Sequence, residues 1–193
     1  MTSEARFVSG DYGAVVERLI DVRRRCELGP GRPDAAAQDM LAGLTAADVG
    51  DGRTIRDAEM AAACLAGLWL WHDFLDESHR VSQSIETPTG SFWHGIMHRR
   101  EPDASNAKYW FRRVGEHAVY DDLAATAGQI AAAAGQPAEF LSADGSWDAA
   151  AFVDACEEAR GQQNAAEELC CDVQQAEWFA LFDYCFRAAF EDA

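Results

Sequence analysis

The sequence is poor in positive charge. Of its 193 residues, 33 are acidic and only 16 are basic, and Lys108 is the single lysine. The formal net charge of −17 would repel the phosphates of nucleic acids and of anionic membranes. This balance argues against a general nucleic-acid or membrane-surface binder. The predicted partner is instead a small anionic ligand or a protein, because of a local basic segment and not because of the overall charge.

Several well-defined motifs are also absent. The six cysteines form no Cys-x-x-Cys pair, there is no His-Glu-x-x-His stretch, and no glycine-rich phosphate loop follows a strand pattern. The N-terminal residues lack the apolar core of a signal peptide, and the longest apolar run, residues 60–71, is shorter than the ~20 residues that cross a bilayer. A chain of this length can bury one core without disulfides. We therefore expect one cytoplasmic domain over residues 1–193, with reduced cysteines.

Helical spacing of apolar residues dominates, and alternating strand patterns are nearly absent. The pattern predicts an all-α fold of antiparallel helical hairpins. Helices are predicted from Asp11 to Cys26 and from Ser146 to Arg160, each starting at a capping residue. Further helix starts are predicted near Asp57, at Thr87-Pro88 and at Asp103.

The centre of the chain shows a weak internal similarity. Aligning Gly67 with Gly95 pairs two stretches that each read as a helical hairpin with a mid-helix glycine at the close contact. This pattern is typical of tetratricopeptide and Sel1-like hairpins. We place it in a motif-bearing core at residues 57–135.

The chemically distinctive residues are concentrated in one segment. All five histidines and the single lysine lie within residues 72–117, and four of the six tryptophans lie within residues 69–110. The rest of the chain is acidic and rich in alanine. We therefore expect the functional site to lie between residues 69 and 120.

The histidines have the spacing of a helical metal site. His94, His98 and Glu101 are spaced i, i+4 and i+7, so a helix would place them on one face. Asp76 and His79 form an Asp-x-x-His element on a preceding helix, similar to the Glu-x-x-His of di-iron bundles. Imidazole and carboxylate ligands suit zinc, iron or manganese. The predicted ligands of a divalent metal are Asp76, His79, His94 and His98, with Glu101 as general base.

A basic island follows the histidines in an otherwise acidic chain, and arginine forks suit carboxylate and phosphate groups. The residues predicted to bind a small anionic ligand are Arg99, Asn106, Tyr109, Trp110 and Arg112. If the protein is an enzyme, metal-assisted hydrolysis is the most economical reaction. The predicted catalytic residues are His98, Glu101, Arg100 and Lys108. Glu101 would act as base toward a metal-bound water, and Arg100 or Lys108 would stabilise the developing anion.

Two other interpretations of the same residues stay open. The histidines could be hydrogen-bonded core residues, and the arginines could pair with the abundant aspartates and glutamates. Alternatively, the helical hairpins could form a protein-interaction module without catalysis, in which tryptophans and arginines are the interface anchors.

Residues 91–117 contain a histidine, three residues, His-Arg-Arg-Glu, an acidic turn and Asn-x-Lys-Tyr-Trp. This segment resembles a family of uncharacterised bacterial and fungal proteins that carry the same pattern. An upstream Asp-x-x-x-x-His-x-x-x-Gln element of that family is matched only through His79 and Gln83, and Pro102 stands where the family has glycine. The resemblance names no reaction. It implies that the important positions are His94, His98, Arg99, Arg100, Glu101, Asn106 and Lys108.

Overall fold

The computed structural model describes residues 7–191, and this part of the chain is helical. Its nine α-helices are α1 (Ala14–Leu19), α2 (Ala35–Ala42), α3 (Ala58–Trp71), α4 (Leu75–Ser82), α5 (Pro88–Arg100), α6 (Ala104–Val114), α7 (Tyr120–Ala134), α8 (Ala149–Ala159) and α9 (Ala165–Ala189). Short 3-10 turns occupy Ser9–Tyr12 and Asp48–Gly50. The predicted all-α class is confirmed. None of these helices combines the length and the apolar character that a membrane crossing requires.

Helix starts follow the capping residues of the sequence in most places. The Thr87 side chain accepts a hydrogen bond from the Gly90 amide, and Pro88 is the first residue of α5. The Asp103 carboxylate accepts from the Asn106 amide at the start of α6. These side chains satisfy amides that have no partner inside the helix, which fixes where each helix begins.

Two predicted helix boundaries are wrong. The helix expected from Asp11 to Cys26 is reduced to a 3-10 turn and α1, because the residues after Leu19 are held against α9 instead. There the Gln175 side chain donates to the Val22 carbonyl. In addition, Ser146 does not cap α8. Asp148 caps it through two amides, and Ser146 closes a turn with Asp144 instead.

Consecutive helices form two hairpins in the centre of the chain. The connections are three residues long, 72–74 between α3 and α4 and 101–103 between α5 and α6. Gly95 lies at the contact within its hairpin, where an added Cβ would lie 3.1 Å from the Phe111 ring. Gly67 instead lies against Trp93 of α5, at 2.9 Å. The likeness to tetratricopeptide hairpins stays a prediction.

The longest helix, α9, organises the core. It packs against α3, α7 and α8. Buried apolar side chains from eight of the nine helices form one continuous cluster, and partly buried Leu75 and Val81 of α4 pack against it. The Trp178 indole donates a hydrogen bond to the Gly67 carbonyl at 3.0 Å, which ties α9 to α3. The two central hairpins are therefore held on a rigid support.

Candidate metal centre

The turn between α3 and α4 is anchored by charge. Asp73 adopts a left-handed backbone conformation with φ of 65°. Its carboxylate accepts from Arg100 at 2.5 Å and from Arg24 at 2.6 Å. Arg100 also donates to the Leu70 carbonyl near the end of α3, which accepts from the Asp73 amide as well. These bonds fix the direction in which the chain enters α4, and α4 then packs against α5.

Three histidines converge between α4 and α5. His94 and His98 are one turn apart on α5, and their rings are stacked with centroids 4.8 Å apart. The His79 ring of α4 lies 4.6 Å from the His94 ring and 5.3 Å from the His98 ring. One nitrogen from each residue lies within 4.8 Å of the others. This arrangement could hold a metal ion.

The most deeply buried of the three is His94, with 2% of its surface exposed. Its ring stacks on Trp110 of α6, with centroids 3.9 Å apart. Its Nδ1 is buried and has no hydrogen-bond partner in the described part of the chain. Burial, together with charge on His98 and His79, lowers the pKa of His94 to about 3. The imidazole is therefore neutral at physiological pH, with a lone pair available.

His98 is oriented by two polar neighbours. Its Nδ1 lies 2.9 Å from a Glu101 oxygen, and the Asn106 amide nitrogen lies 3.2 Å from its Nε2. Burial lowers the pKa of His98, although Glu101 opposes the change. When Nδ1 carries the proton and donates to Glu101, Nε2 carries the lone pair. A carboxylate on the far nitrogen is the usual support of a metal-binding histidine.

The other two histidines have structural partners. His72 ends α3 and bridges the Asp34 carboxylate, at 3.1 Å, and the Leu19 carbonyl, at 2.8 Å. His117 lies 3.1 Å from the Thr89 hydroxyl through Nε2. Both residues are hydrogen-bonded as the structural interpretation expects, and His72 is buried whereas His117 is half-buried.

Asp76 is not part of the cluster. Within residues 7–191, the group of ligand atoms that lie close together contains the three histidines and no carboxylate. Asp76 is exposed in the first turn of α4, where its main-chain carbonyl accepts from Arg80. Three of the four predicted ligands therefore meet, and the fourth does not, because α4 begins at Leu75 and presents Asp76 to solvent rather than to α5.

Arg99 was expected to bind a ligand but lies in the core, with 1% exposure. Its guanidinium donates to the fully buried Glu177 and to Gln174, both on α9. It also lies over the Phe152 ring of α8, 4.5 Å from the centroid. These internal partners occupy Arg99, so the structure does not bring it to the histidine face.

The rest of the predicted island is also dispersed. Arg100 is buried and forms an ion pair with Asp73 in the α3–α4 turn. Lys108 forms an ion pair with Asp154 of α8 at 2.5 Å, and Arg112 is exposed. These basic residues therefore do not line one pocket with the histidines.

The face of α6 nearest the histidines is aromatic. The Trp110 ring covers His94. The Arg113 guanidinium lies 5.1 Å from the centroid of the Trp110 ring and 6.0 Å from the centroid of the Tyr109 ring. Tyr109 is 45% exposed. Of the predicted ligand-binding residues, Asn106 and Trp110 therefore touch the histidine cluster, and Tyr109 lies beside it.

Sequence reasoning missed the acidic partners of the buried arginines, Asp73 and Glu177. Glu177 had a recognisable signal, since it lies among apolar positions of a long helix and a buried carboxylate needs a cation. Asp73 had none, because its left-handed conformation and its two arginine partners come from distant segments of the chain.

The neutral state of His117 gives a pH-dependent contribution to stability. Burial lowers the pKa of His117 from 6.5 to about 4. The unfolded chain therefore takes up this proton first, and stability that is present above pH 6.5 is lost as the pH falls toward 4. We expect His117→Gln to reduce proton uptake on unfolding by about one proton at about pH 5. Urea titrations across this range measure the slope; an unchanged slope would contradict the assignment.

The fold and the cluster together define an all-helical protein with a histidine triad between two hairpins. Comparisons with protein-family models, with curated proteins and with solved structures found no match for the chain.

Proposed function

We propose that the protein binds one divalent metal ion through His79, His94 and His98 and uses it for hydrolysis of a small anionic substrate. The observation that carries the proposal is the convergence of three imidazoles from two helices, with ligand nitrogens within 4.8 Å. Imidazole ligands suit zinc, and also iron and manganese.

Electrostatics support the binding of a cation by this cluster. Imidazole binds a metal only when it is neutral, and burial lowers the pKa of both His94 and His98. A buried Nδ1 without a partner, as in His94, is costly unless something binds it. A metal ion would satisfy the one nitrogen of the cluster, His94 Nδ1, that is buried without a partner.

The number of ligands favours a reactive site over a structural one. Structural zinc sites are usually closed by four protein ligands, whereas three histidines leave a position for water or substrate. The Glu101 side chain beside the cluster is 50% exposed, so this edge of the site reaches solvent. A bound metal would supply Lewis acidity there, and its positive charge would attract an anion.

The neighbouring side chains have distinct proposed roles. Glu101 holds His98 through Nδ1, so it acts first as a positioning residue and is also close enough to the cluster to accept a proton. Asn106, whose amide lies 3.2 Å from His98 Nε2, would contact a ligand bound at the open position. Trp110 covers His94 and keeps water from that side.

Zinc binding to the full chain tests the site. We expect one zinc ion per chain in competition with a chromophoric chelator, and an at least ~100-fold loss of affinity in His94→Ala/His98→Ala, because two of three ligands are removed. His79→Gln is the milder variant, since His79 is only partly buried and its loss should leave the fold intact. His117→Gln is the matched control, because it removes a histidine outside the cluster.

The possible outcomes distinguish the proposed metal site from the proposed hydrolase activity. Cobalt(II) in place of zinc should give the absorption of a four-coordinate site in the wild type and lose it in His79→Gln. Equal zinc affinity in the wild type and the double variant would overturn the site. Zinc binding with no ester hydrolysis above that of His98→Ala would retain the metal site and reject the hydrolase.

A further inference from the structure

A second chemically distinctive place lies at the start of α9. A cavity of about 470 Å³ opens between the end of α7, α8 and the start of α9. Its rim consists of exposed residues that include Pro137, Glu139 and Glu158, so solvent reaches it. Leu169 and Cys170, near the start of α9, are among the residues that line it. A cysteine therefore lines a cavity that is open to solvent.

Cys170 does not lie there alone. Arg99 contacts α8 through Phe152 and α9 through Gln174. Cys156 is one helical turn after Phe152, and Cys170 is one turn before Gln174, so each lies on the same helix face as the residue that Arg99 touches. The two thiols therefore flank the buried guanidinium from α8 and α9.

The charges distinguish the two thiols. A hydrogen bond from Cys156 lowers the pKa of Cys170, and Arg99 lowers it further, although burial and Glu167 oppose them. Burial raises the pKa of Cys156 well above its ordinary value. In such a pair the first proton to leave belongs to Cys170, and the remaining one is held on Cys156. Thiolate character beside a cation is what makes a cysteine nucleophilic.

We propose that Cys170 is a peroxide-reactive thiol lining this cavity, and that Cys156 resolves it to a disulfide joining α8 and α9. Hydrogen peroxide is the oxidant, because it is small enough for the cavity and needs no further co-reactant. The site is independent of the histidine cluster.

The chemistry balances in two steps. The Cys170 thiolate attacks one peroxide oxygen, the O–O bond breaks, and hydroxide leaves with the proton that Cys170 gave up, as water. The Cys156 sulfur then attacks the Cys170 sulfur, the S–O bond breaks, and the Cys156 proton leaves with that oxygen as a second water. The two thiols lose two electrons, and one peroxide is reduced to two waters.

The chain contains two internal controls. Cys64 on α3 and Cys185 on α9 also form a hydrogen-bonded thiol pair, but both have 0% exposure and neither lines the cavity. Cys171 is more exposed than Cys170, at 8% against 3%, yet burial raises its pKa to about 11. If exposure alone determined reactivity, Cys171 would react first. The proposal predicts Cys170.

The test is peroxide treatment of the reduced, folded full chain, followed by alkylation after unfolding and peptide mass spectrometry. We expect a Cys156–Cys170 disulfide to form at least about tenfold faster than any modification of the other four cysteines. In Cys156→Ser the sulfenic acid should persist on Cys170 and react with dimedone. Cys170→Ser should remove the reaction, and Cys64→Ser should leave it unchanged.

Several results would overturn the proposal. Among them are equal oxidation of the Cys64–Cys185 pair, faster oxidation of Cys171, and unchanged peroxide consumption in Cys170→Ser. A dimedone adduct on Cys170 in the wild type, with no disulfide, would reject Cys156 as the resolving thiol. Circular dichroism of each variant excludes unfolding as the cause.

Discussion

Replacing Arg99 with methionine is expected to destabilise the protein by about 3–5 kcal/mol, which is the range for removing one partner of a buried ion pair. Arg99 and Glu177 are exposed by only 1% and 0%. Without the guanidinium, the Glu177 carboxylate would be buried with no cation among its side-chain partners, and the Phe152 ring would lose its cation. Urea denaturation of the wild type and the variant measures the change.

In the Arg99→Met variant, protonation of the Glu177 carboxylate would reduce the loss of stability, because the neutral acid is less costly to bury. Burial already raises the pKa of Glu177, and Arg99 opposes that rise. Removing Arg99 should therefore raise this pKa further, so that the variant binds one more proton than the wild type near neutral pH. The variant should consequently become less stable relative to the wild type as the pH rises, because higher pH disfavours the protonated Glu177 on which the folded variant depends.

The double variant Arg99→Met/Glu177→Met measures the net contribution of the ion pair, as distinct from the cost of leaving one buried charge without its partner. Apolar replacement of a buried ion pair is often nearly neutral, so most of the stability should return. A remaining cost of about 1 kcal/mol is expected, because Gln174 loses its donor. Lys108→Met is the control. Its ion pair with Asp154 is partly exposed and should contribute at most about 1 kcal/mol.

Equal stability of the single and double variants would refute the ion-pair interpretation. It would mean that Arg99 acts through packing on Phe152 alone. A large loss in Lys108→Met would instead indicate that the surface pair holds α6 on α8.

Much of the helical fold follows from local signals. Thr87 with Pro88, Asp57 and Asp103 each start a helix where the sequence predicts one, because a cap satisfies amides within the same short segment. The segment after Leu19 could not be predicted in this way. Its conformation depends on hydrogen bonds to α9, more than a hundred residues later in the chain, such as that of Gln175 to Val22.

In the candidate site, too, the features set by local spacing could be predicted, whereas those set by distant partners could not. His94 and His98 share a helix face by spacing alone, and α4 brings His79 to them as the sequence predicts. The arginines next to them could not be assigned from spacing. On a helix, adjacent residues point in different directions, so Arg99 and Arg100 turn away from His98 toward the core. The sequence shows that positive charge is present there, but the partners that neutralise it come from α9 and the α3–α4 turn.

Arg100→Met is expected to cost about 3–5 kcal/mol, because it removes the more deeply buried of the two cations on Asp73 and the side-chain donor to the Leu70 carbonyl. Arg24 provides a matched comparison on the same carboxylate. Its side chain is 27% exposed, so Arg24→Met should cost about 1 kcal/mol or less. Similar losses for the two variants would contradict this difference in burial.

The same pair of variants connects the α3–α4 turn to the proposed metal site. Asp73 directs the chain into α4, and α4 carries His79, whereas His94 and His98 both lie on α5. Weakening the turn should therefore misplace one ligand of three. Under conditions where Arg100→Met is still folded, we expect zinc affinity to fall at least about tenfold, and Arg24→Met to bind as the wild type does. Wild-type zinc affinity in folded Arg100→Met would show that α4 is positioned by its packing on α5 alone, and that the turn contributes to stability but not to the site.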